Sequence, residues 1–531
     1  MTTEQHRGIP SLTYEMGTGG AYDPGLYNAD LAPVPANERT WTWIHFAALW
    51  VGMAITIPTY TLASSLVDGG WSWQAAVGSI VLGNVIVLIP IALVAEAGTR
   101  YGIPFPVFAR ASFGVVGANI PALLRAIVAC GWFGIQTWIG GWAIFKLLEV
   151  LWPGIAALPT ILPAWVGLGT GELICFTIFW LIQLAIVLRG MESIKFLETY
   201  GSPFLLVIGI ALLAWAYVKA GGWGPMLDNP APTADRTGPP LGILGAGLTS
   251  AVAFWGTMAL SIPDFSRYAR SQRDQVVGQA VGLPVTMALF AFIGAAVTSA
   301  TVVIFGTRIS DPVALLARIG GPAMVIISMI GLTIATLTTN IAANVVSPAN
   351  AFSNVSPSRV SFRKGALITA VIGVLMFPWK LYNDAAAYIF TWLIGYGALL
   401  GPVAGIMIAD YFLIRNRVLR PDALFLRGRQ YEYTGGVNLV AVVALLAGVL
   451  PNLPGFLEAL GAIDAPGWAT AVYQWAWFAG FAISAVVYLI GMRVFYPGHR
   501  VVGPPALADT LVFSSRTGQA TSTKTGEEQV P

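Results

Sequence analysis

Between residues 43 and 495 the chain returns repeatedly to apolar stretches long enough to cross a bilayer. They fall at about 43–67, 76–97, 118–149, 172–189, 200–220, 241–263, 280–306, 319–346, 365–379, 385–414, 436–451 and 469–495. A transmembrane helix needs about 20 mostly apolar residues, so the pattern predicts an all-α integral membrane protein with twelve transmembrane helices. Composition agrees: 56% of the 531 residues are hydrophobic and 10% are charged, against about 25% charged in soluble domains. That is too little charge to cover the surface of a soluble multidomain enzyme. The 59 Gly and 34 Pro lie within apolar runs at no fixed period, which excludes a collagen-like chain.

Charge placement gives an orientation. Assigning termini and loops alternately from the inside puts 21 of the 28 Lys and Arg on one side and 6 on the other, with Arg125 inside the third span. By the positive-inside rule both termini then lie in the cytoplasm of a cell-membrane protein. Segment 1–40 is polar and lacks the basic-then-apolar pattern of a secretory signal. Segment 503–531 is rich in Ser, Thr and Gly and is expected to be a disordered cytoplasmic tail. The net charge of +3 points to no nucleic-acid partner, and oligomeric state is not legible. Cys130 and Cys175 fall in apolar segments, and His6, His45 and His499 are scattered. A membrane enzyme would need a nucleophile–base pair or a metal cluster, and a channel would need rings of carbonyls or charges; the sequence displays neither, and no cofactor is expected.

An internal repeat locates a site. Gly52-Met53-Ala54-Ile55-Thr56-Ile57-Pro58-Thr59 in the first span parallels Thr257-Met258-Ala259-Leu260-Ser261-Ile262-Pro263-Asp264 in the sixth, at an offset of 205 residues. Six of the eight positions are identical or chemically close. Five spans separate the two stretches, and an odd offset inserts the halves upside down relative to each other. Inverted-repeat transporters have this pattern, with substrate sites beside paired broken helices near the midplane. Proline removes an N–H and clashes with the preceding turn, so breaks are expected near Pro58 and Pro263. A lone proline would more often only kink a packed helix; the matched octapeptides favour the site.

Two spans carry polar groups that need an explanation. In the third, Cys130-Gly131-Trp132-Phe133-Gly134-Ile135-Gln136-Thr137-Trp138-Ile139-Gly140-Gly141 sets Trp132 and Gln136 on one helix face. An indole beside a carboxamide suits a flat heterocycle, stacked on its face and hydrogen-bonded at its edge. The glycines equally suit close helix packing. In the eighth, Thr338 and Thr339 offer hydroxyl oxygens to a hard cation, or bond their own helix's carbonyls. Asn340 and Asn344, four apart, either read a ligand or join helices. Asp264, after Pro263, is a candidate proton or gating group, or a cap.

From about Tyr14 to Pro497 the sequence resembles the first nucleobase:cation symporter family, the permeases for cytosine, uracil, allantoin, hydantoins and thiamine. The resemblance is most specific in the loop Gly98-Thr99-Arg100-Tyr101-Gly102-Ile103-Pro104-Phe105-Pro106-Val107-Phe108-Ala109-Arg110-Ala111-Ser112-Phe113-Gly114. Trp132 to Gly141, Ile262 to Tyr268 and Thr338 to Asn344 support it. It implies the leucine-transporter architecture: inverted five-helix repeats over 41–220 and 241–415, with two additional helices over 436–496. In site residues the likeness is greatest to the hydantoin and allantoin permeases. It implies that Trp132 and Trp255 sandwich the substrate and that Gln136 and Asn344 bind its edge. A third amide of the family falls on Thr56, a departure, since Thr cannot offer both a carbonyl and an amide. The implied sodium ligands are the carbonyls of Gly52, Ile55 and Ala335 with the hydroxyls of Thr338 and Thr339. The implied function is Na⁺-coupled import of allantoin, a hydantoin or uracil, with H⁺ as the alternative ion and cytosine, purines or thiamine as alternative cargo.

Overall fold

The computed structural model describes residues 22–189, 191–227, 240–319, 321–382 and 387–499. The proposed tail at 503–531 and the first 21 residues of segment 1–40 lie outside these. The fold is all helical. Helices α1 (Trp43–Ala54), α2 (Ile57–Asp68), α3 (Trp73–Tyr101), α4 (Phe105–Phe113), α5 (Asn119–Leu151), α6 (Thr170–Arg189), α7 (Met191–Ala220) and α8 (Trp223–Leu227) come first. Then follow α9 (Pro240–Phe254), α10 (Gly256–Ser261), α11 (Pro263–Ser266), α12 (Gln272–Phe305), α13 (Pro312–Ile319), α14 (Pro322–Asn344), α15 (Val346–Val355) and α16 (Phe362–Leu375). The chain ends with α17 (Pro378–Leu381), α18 (Ile394–Ile408), α19 (Leu439–Val449), α20 (Leu453–Ala459), α21 (Gly467–Gln474) and α22 (Ala476–Phe495).

Local chemistry sets the long helices' ends. Ser72 Oγ accepts from Ala75 N–H at 3.2 Å and Ser271 Oγ from Asp274 N–H at 3.1 Å, capping α3 and α12. Such caps satisfy donors that the helix itself leaves open. Both helices end on a glycine in the left-handed region, Gly102 at φ 72° and Gly306 at φ 69°, where a side chain would be strained.

Among the described residues, eight helices are long and apolar enough to cross a membrane, and the bent pair α1–α2 adds a ninth. This is fewer than the twelve expected, so twelve stands only as an expectation. The difference lies in the fifth, sixth and ninth runs. The fifth run lies in the 30-residue α7 and the sixth in the 15-residue α9, each of which continues beyond the stretches Leu206–Ala220 and Leu244–Phe254 whose side chains are described. Helix α16 has 14 residues and stops before Phe377, which turns left-handed (φ 50°) ahead of Pro378.

The helices pack in three groups. Helices α1, α2 and α3 surround α12, with α9 against α3. Helices α14, α15, α16 and α6 surround α5. Helices α18, α19 and α22 form the third group, and α18 also touches α9. The glycines of α5 act as expected for close packing. A Cβ on Gly134 would meet the Gly373 carbonyl oxygen at 2.3 Å, and one on Gly141 the Phe176 Cα at 2.7 Å. Asp264 serves as a cap, though of α4 rather than its own segment: its Oδ1 accepts from Phe105 N–H at 3.0 Å.

The third group is fastened to α4 by a buried ion pair. Arg415 Nε donates to Asp410 Oδ2 at 2.6 Å, and the two side chains are 4% and 1% exposed. Arg415 Nη2 also donates to the Ala111 carbonyl at 2.7 Å, and Tyr488 Oη donates to Asp410 Oδ1 at 2.8 Å. Removing one member strands the other charge in a dry interior, which costs about 3–5 kcal/mol. Asp410→Asn is therefore expected to lower the thermal unfolding midpoint of the purified protein, whereas a substitution at the exposed Arg429 should leave it unchanged.

Candidate functional site

The first broken helix opens as expected. Helices α1 and α2 meet at 55°, and the junction is Ile55-Thr56, with Pro58 in the first turn of α2. Thr56 adopts an extended backbone (φ −142°, ψ 158°) and its Oγ1 accepts from Thr59 N–H at 3.4 Å. The break redirects two amides. Thr56 N–H bonds to the Ala54 carbonyl at 3.0 Å, and Thr59 N–H to the Thr56 carbonyl at 3.2 Å. In a continuous helix those donors would have served Gly52 and Ile55.

The second stretch is interrupted twice: at Ile262, between α10 and α11 and beside Pro263 as expected, and at Trp255, between α9 and α10, which was not expected. Trp255 has φ −100° and ψ 10°, and its N–H bonds three residues back to Val252 at 3.2 Å. Pro263 begins α11, where a missing N–H costs no helical bond, and Ile262 keeps a helical backbone before it.

The breaks at Ile55-Thr56 and Trp255, with α5 and α14, line a small cavity of about 30 Å³, bordered by Met53, Thr56, Trp132, Gln136, Phe254, Trp255, Thr257, Met258, Ala343 and Asn344. All five expected substrate residues, Thr56, Trp132, Gln136, Trp255 and Asn344, are thus brought together, none more than 5% exposed. The expected sandwich contains a protein ring: Phe254 stands 5.3 Å from Trp132 and 5.1 Å from Trp255, edge-on to both. Trp132 is also braced by Tyr388, Trp392 and Tyr396 at 6.0–6.3 Å, and its Nε1 donates to Tyr396 Oη at 3.3 Å. These rings were missed. Phe254 could have been suspected from its place beside Trp255, but Tyr388, Trp392 and Tyr396 lie far along the chain and only the fold assembles them.

The polar groups of the cavity are unequal. Gln136 Oε1 and Trp255 Nε1 are buried with no protein partner, and an open acceptor or donor in a dry site is costly unless a ligand meets it. Asn344 Nδ2 is engaged, donating to Asn340 Oδ1 at 2.9 Å. Thr56 Oγ1 lies 3.2 Å from Thr59 Oγ1.

Beside the first break, Thr339 Oγ1 donates to the Ala335 carbonyl at 3.0 Å and lies 3.4 Å from the Gly52 carbonyl oxygen. Three of the expected ion ligands, Gly52, Ala335 and Thr339, therefore converge from α1 and α14. Ile55 occupies the break itself. The Thr338 side chain lies outside the described residues.

Comparison with known proteins gives the same frame. The pattern defining the permeases for cytosine/purines, uracil, thiamine and allantoin matches residues 33–480. A purine-uracil permease of Arabidopsis thaliana is 48% identical over 478 residues, 89% of this chain and 78% of that protein. An allantoin permease of Bacillus subtilis is 40% identical over 477 residues, 89% and 94% of the two chains. The inward-facing structure of Mhp1 superposes with a TM-score of 0.72 at 26% identity, over 89% of this chain and 95% of the other. Mhp1, a nucleobase-cation-symport-1 family transporter, in a closed conformation with bromovinylhydantoin bound gives 0.71 at 26% identity, over 88% and 95%. With its apolar helices, paired helix breaks and transporter architecture, this chain belongs to the family of membrane permeases for cytosine/purines, uracil, thiamine and allantoin, and is not an enzyme.

Proposed function

We propose that the protein is a Na⁺-coupled importer of a cyclic urea, with uracil, a hydantoin or allantoin as cargo. These three share one edge: a carbonyl flanked by two ring N–H groups. The observation that carries the proposal is the cavity's supply of acceptors. Gln136 Oε1 is buried and unmet. Asn344 commits one N–H to Asn340 Oδ1, which fixes the amide's orientation and leaves its carbonyl oxygen as an acceptor for a ligand. Two acceptors suit two N–H groups, and the Thr56 hydroxyl can donate to the carbonyl between them. Thr in place of an amide fits this pattern, because only a donor is needed there. The names of the relatives support the same chemistry, since uracil, allantoin and bromovinylhydantoin all carry the shared edge. Trp132 and Trp255 would stack on the two faces once Phe254 turns aside, a rotamer change at the end of α9.

The carbonyls of Gly52, Ile55 and Ala335, with the hydroxyls of Thr338 and Thr339, suit a small hard cation, which is bound through oxygen. An ion there links α1 of one five-helix repeat, 41–220, to α14 of the other, 241–415. It would favour the conformation in which these helices meet and so raise affinity for substrate, a coupling that is reciprocal. Rocking of one helix group against the other around this fixed site would carry the cargo across. The excess of Lys and Arg on one side supports cytoplasmic termini.

The test is uptake of labelled uracil, hydantoin and allantoin into proteoliposomes. Saturable accumulation driven by an inward Na⁺ gradient is expected for at least one. Accumulation of none contradicts the cargo, and accumulation driven only by a proton gradient contradicts the ion. Trp132→Ala, which removes a stacking surface worth about 1–3 kcal/mol, is expected to weaken substrate binding about tenfold or more in a direct titration. Thr339→Ala removes one ion ligand and leaves the cavity's lining intact. It should reduce the stimulation of binding by Na⁺ while affinity without Na⁺ is retained.

A further inference from the structure

Behind the cavity, three helices share a buried polar cluster that the transport site does not itself explain. Asn340 is on α14, Thr137 on α5 and Gln183 on α6, and all three are fully buried. Asn340 Nδ2 lies 3.0 Å from the Phe133 carbonyl, 2.7 Å from Gln183 Oε1 and 3.3 Å from Thr137 Oγ1. Thr137 Oγ1 donates to the Phe133 carbonyl at 2.6 Å and accepts from Gln183 Nε2 at 2.9 Å. Asn340 Oδ1 accepts from Asn344 Nδ2 at 2.9 Å.

The order of donors in this cluster has a fixed direction. A backbone carbonyl can only accept, so the atom of Asn340 facing Phe133 must be its nitrogen. Its other atom is then the oxygen, and that oxygen can only accept from Asn344. The nitrogen of Asn344 is thereby drawn away from the cavity and its carbonyl oxygen is left to face it. Reversing either amide would set oxygen against oxygen in a dry interior, where an unmet polar group costs about 1–3 kcal/mol.

We infer that Asn340 is a specificity-positioning residue: through the Phe133 carbonyl, Gln183 and Thr137 it locks the amide of Asn344 so that the site accepts a ligand N–H there and discriminates against a bare ring nitrogen. The inference rests on the cyclic-urea reading of the cavity and adds to it the cause of the selectivity. Uracil and cytosine make the discriminating pair. They have nearly the same size and stacking area, but uracil has an N–H where cytosine has a ring nitrogen that can only accept.

The experiment is calorimetric titration of the purified full-length protein with uracil and with cytosine, for the wild type and Asn340→Leu. The wild type is expected to prefer uracil. In Asn340→Leu the amide of Asn344 is free to turn and donate, so the ratio of the two dissociation constants should narrow about tenfold, the equivalent of one hydrogen bond. A general structural loss would weaken both ligands in parallel; parallel weakening, or an unchanged ratio, overturns the inference. If Asn340→Leu fails to fold, Asn340→Thr loses the same hold on Asn344, because a helical Thr hydroxyl bonds to its own preceding turn. A wild type that prefers cytosine, or binds neither, overturns the cyclic-urea reading itself. That outcome is read before any variant is made.

Discussion

A backbone carbonyl released inside hydrocarbon has no water to turn to, and this constraint organises the rest of the molecule. At Ile55-Thr56 the chain gives up regular helix, and the amides of Thr56 and Thr59 bond to Ala54 and Thr56 rather than four residues back. Such a break persists only where protein or cargo surrounds it. Here α14 brings Thr339 to within 3.4 Å of Gly52, and the Thr56 hydroxyl caps the helix that restarts. The second break, at Trp255, opens onto the same cavity from the other repeat. Two interruptions that would be liabilities in a lipid-facing helix become the walls of one compartment.

The compartment divides labour between rings and amides. Five aromatic side chains, Phe254, Trp255, Tyr388, Trp392 and Tyr396, crowd around Trp132 directly or through Phe254. They supply apolar area with few rotatable bonds, so little entropy is lost when a ligand fills the space. The amides supply direction. Gln136 and Asn344 point into the cavity, and Asn344 is held from behind by groups on three helices. Burying that many amides is tolerable because each member of the cluster finds partners. The same satisfaction makes the cluster stiff.

Much of this was legible in the sequence, for reasons that can be named. The apolar runs located the helices because hydrophobic length is set by the bilayer. The five positions expected to bind substrate converge because the spacing of Trp132 and Gln136 places them on one face of α5, and because the repeated octapeptide marks both breaks' neighbourhoods. The interruption at Ile262 was legible from Pro263, which opens α11; the one at Trp255 was not, because no proline marks it. Asn340 and Asn344 could not be told apart as glue or ligand, because that depends on Gln183 and Phe133, remote in sequence. The structure gives them different tasks: Asn344 lines the cavity and Asn340 holds it. The early end of α16 has a similar origin, since composition does not reveal that Phe377 turns left-handed.

The central claim is that a cation held at the first break and a cyclic urea held between the indoles bind to one coupled site. The most direct test is quenching of intrinsic tryptophan fluorescence by uracil, hydantoin and allantoin, titrated in Na⁺ and again in K⁺ at equal ionic strength. With Trp132 and Trp255 in the cavity wall, at least one of these ligands should quench, and its dissociation constant should be lower in Na⁺. Quenching by none of the three, or the same dissociation constant in both salts, would contradict the account.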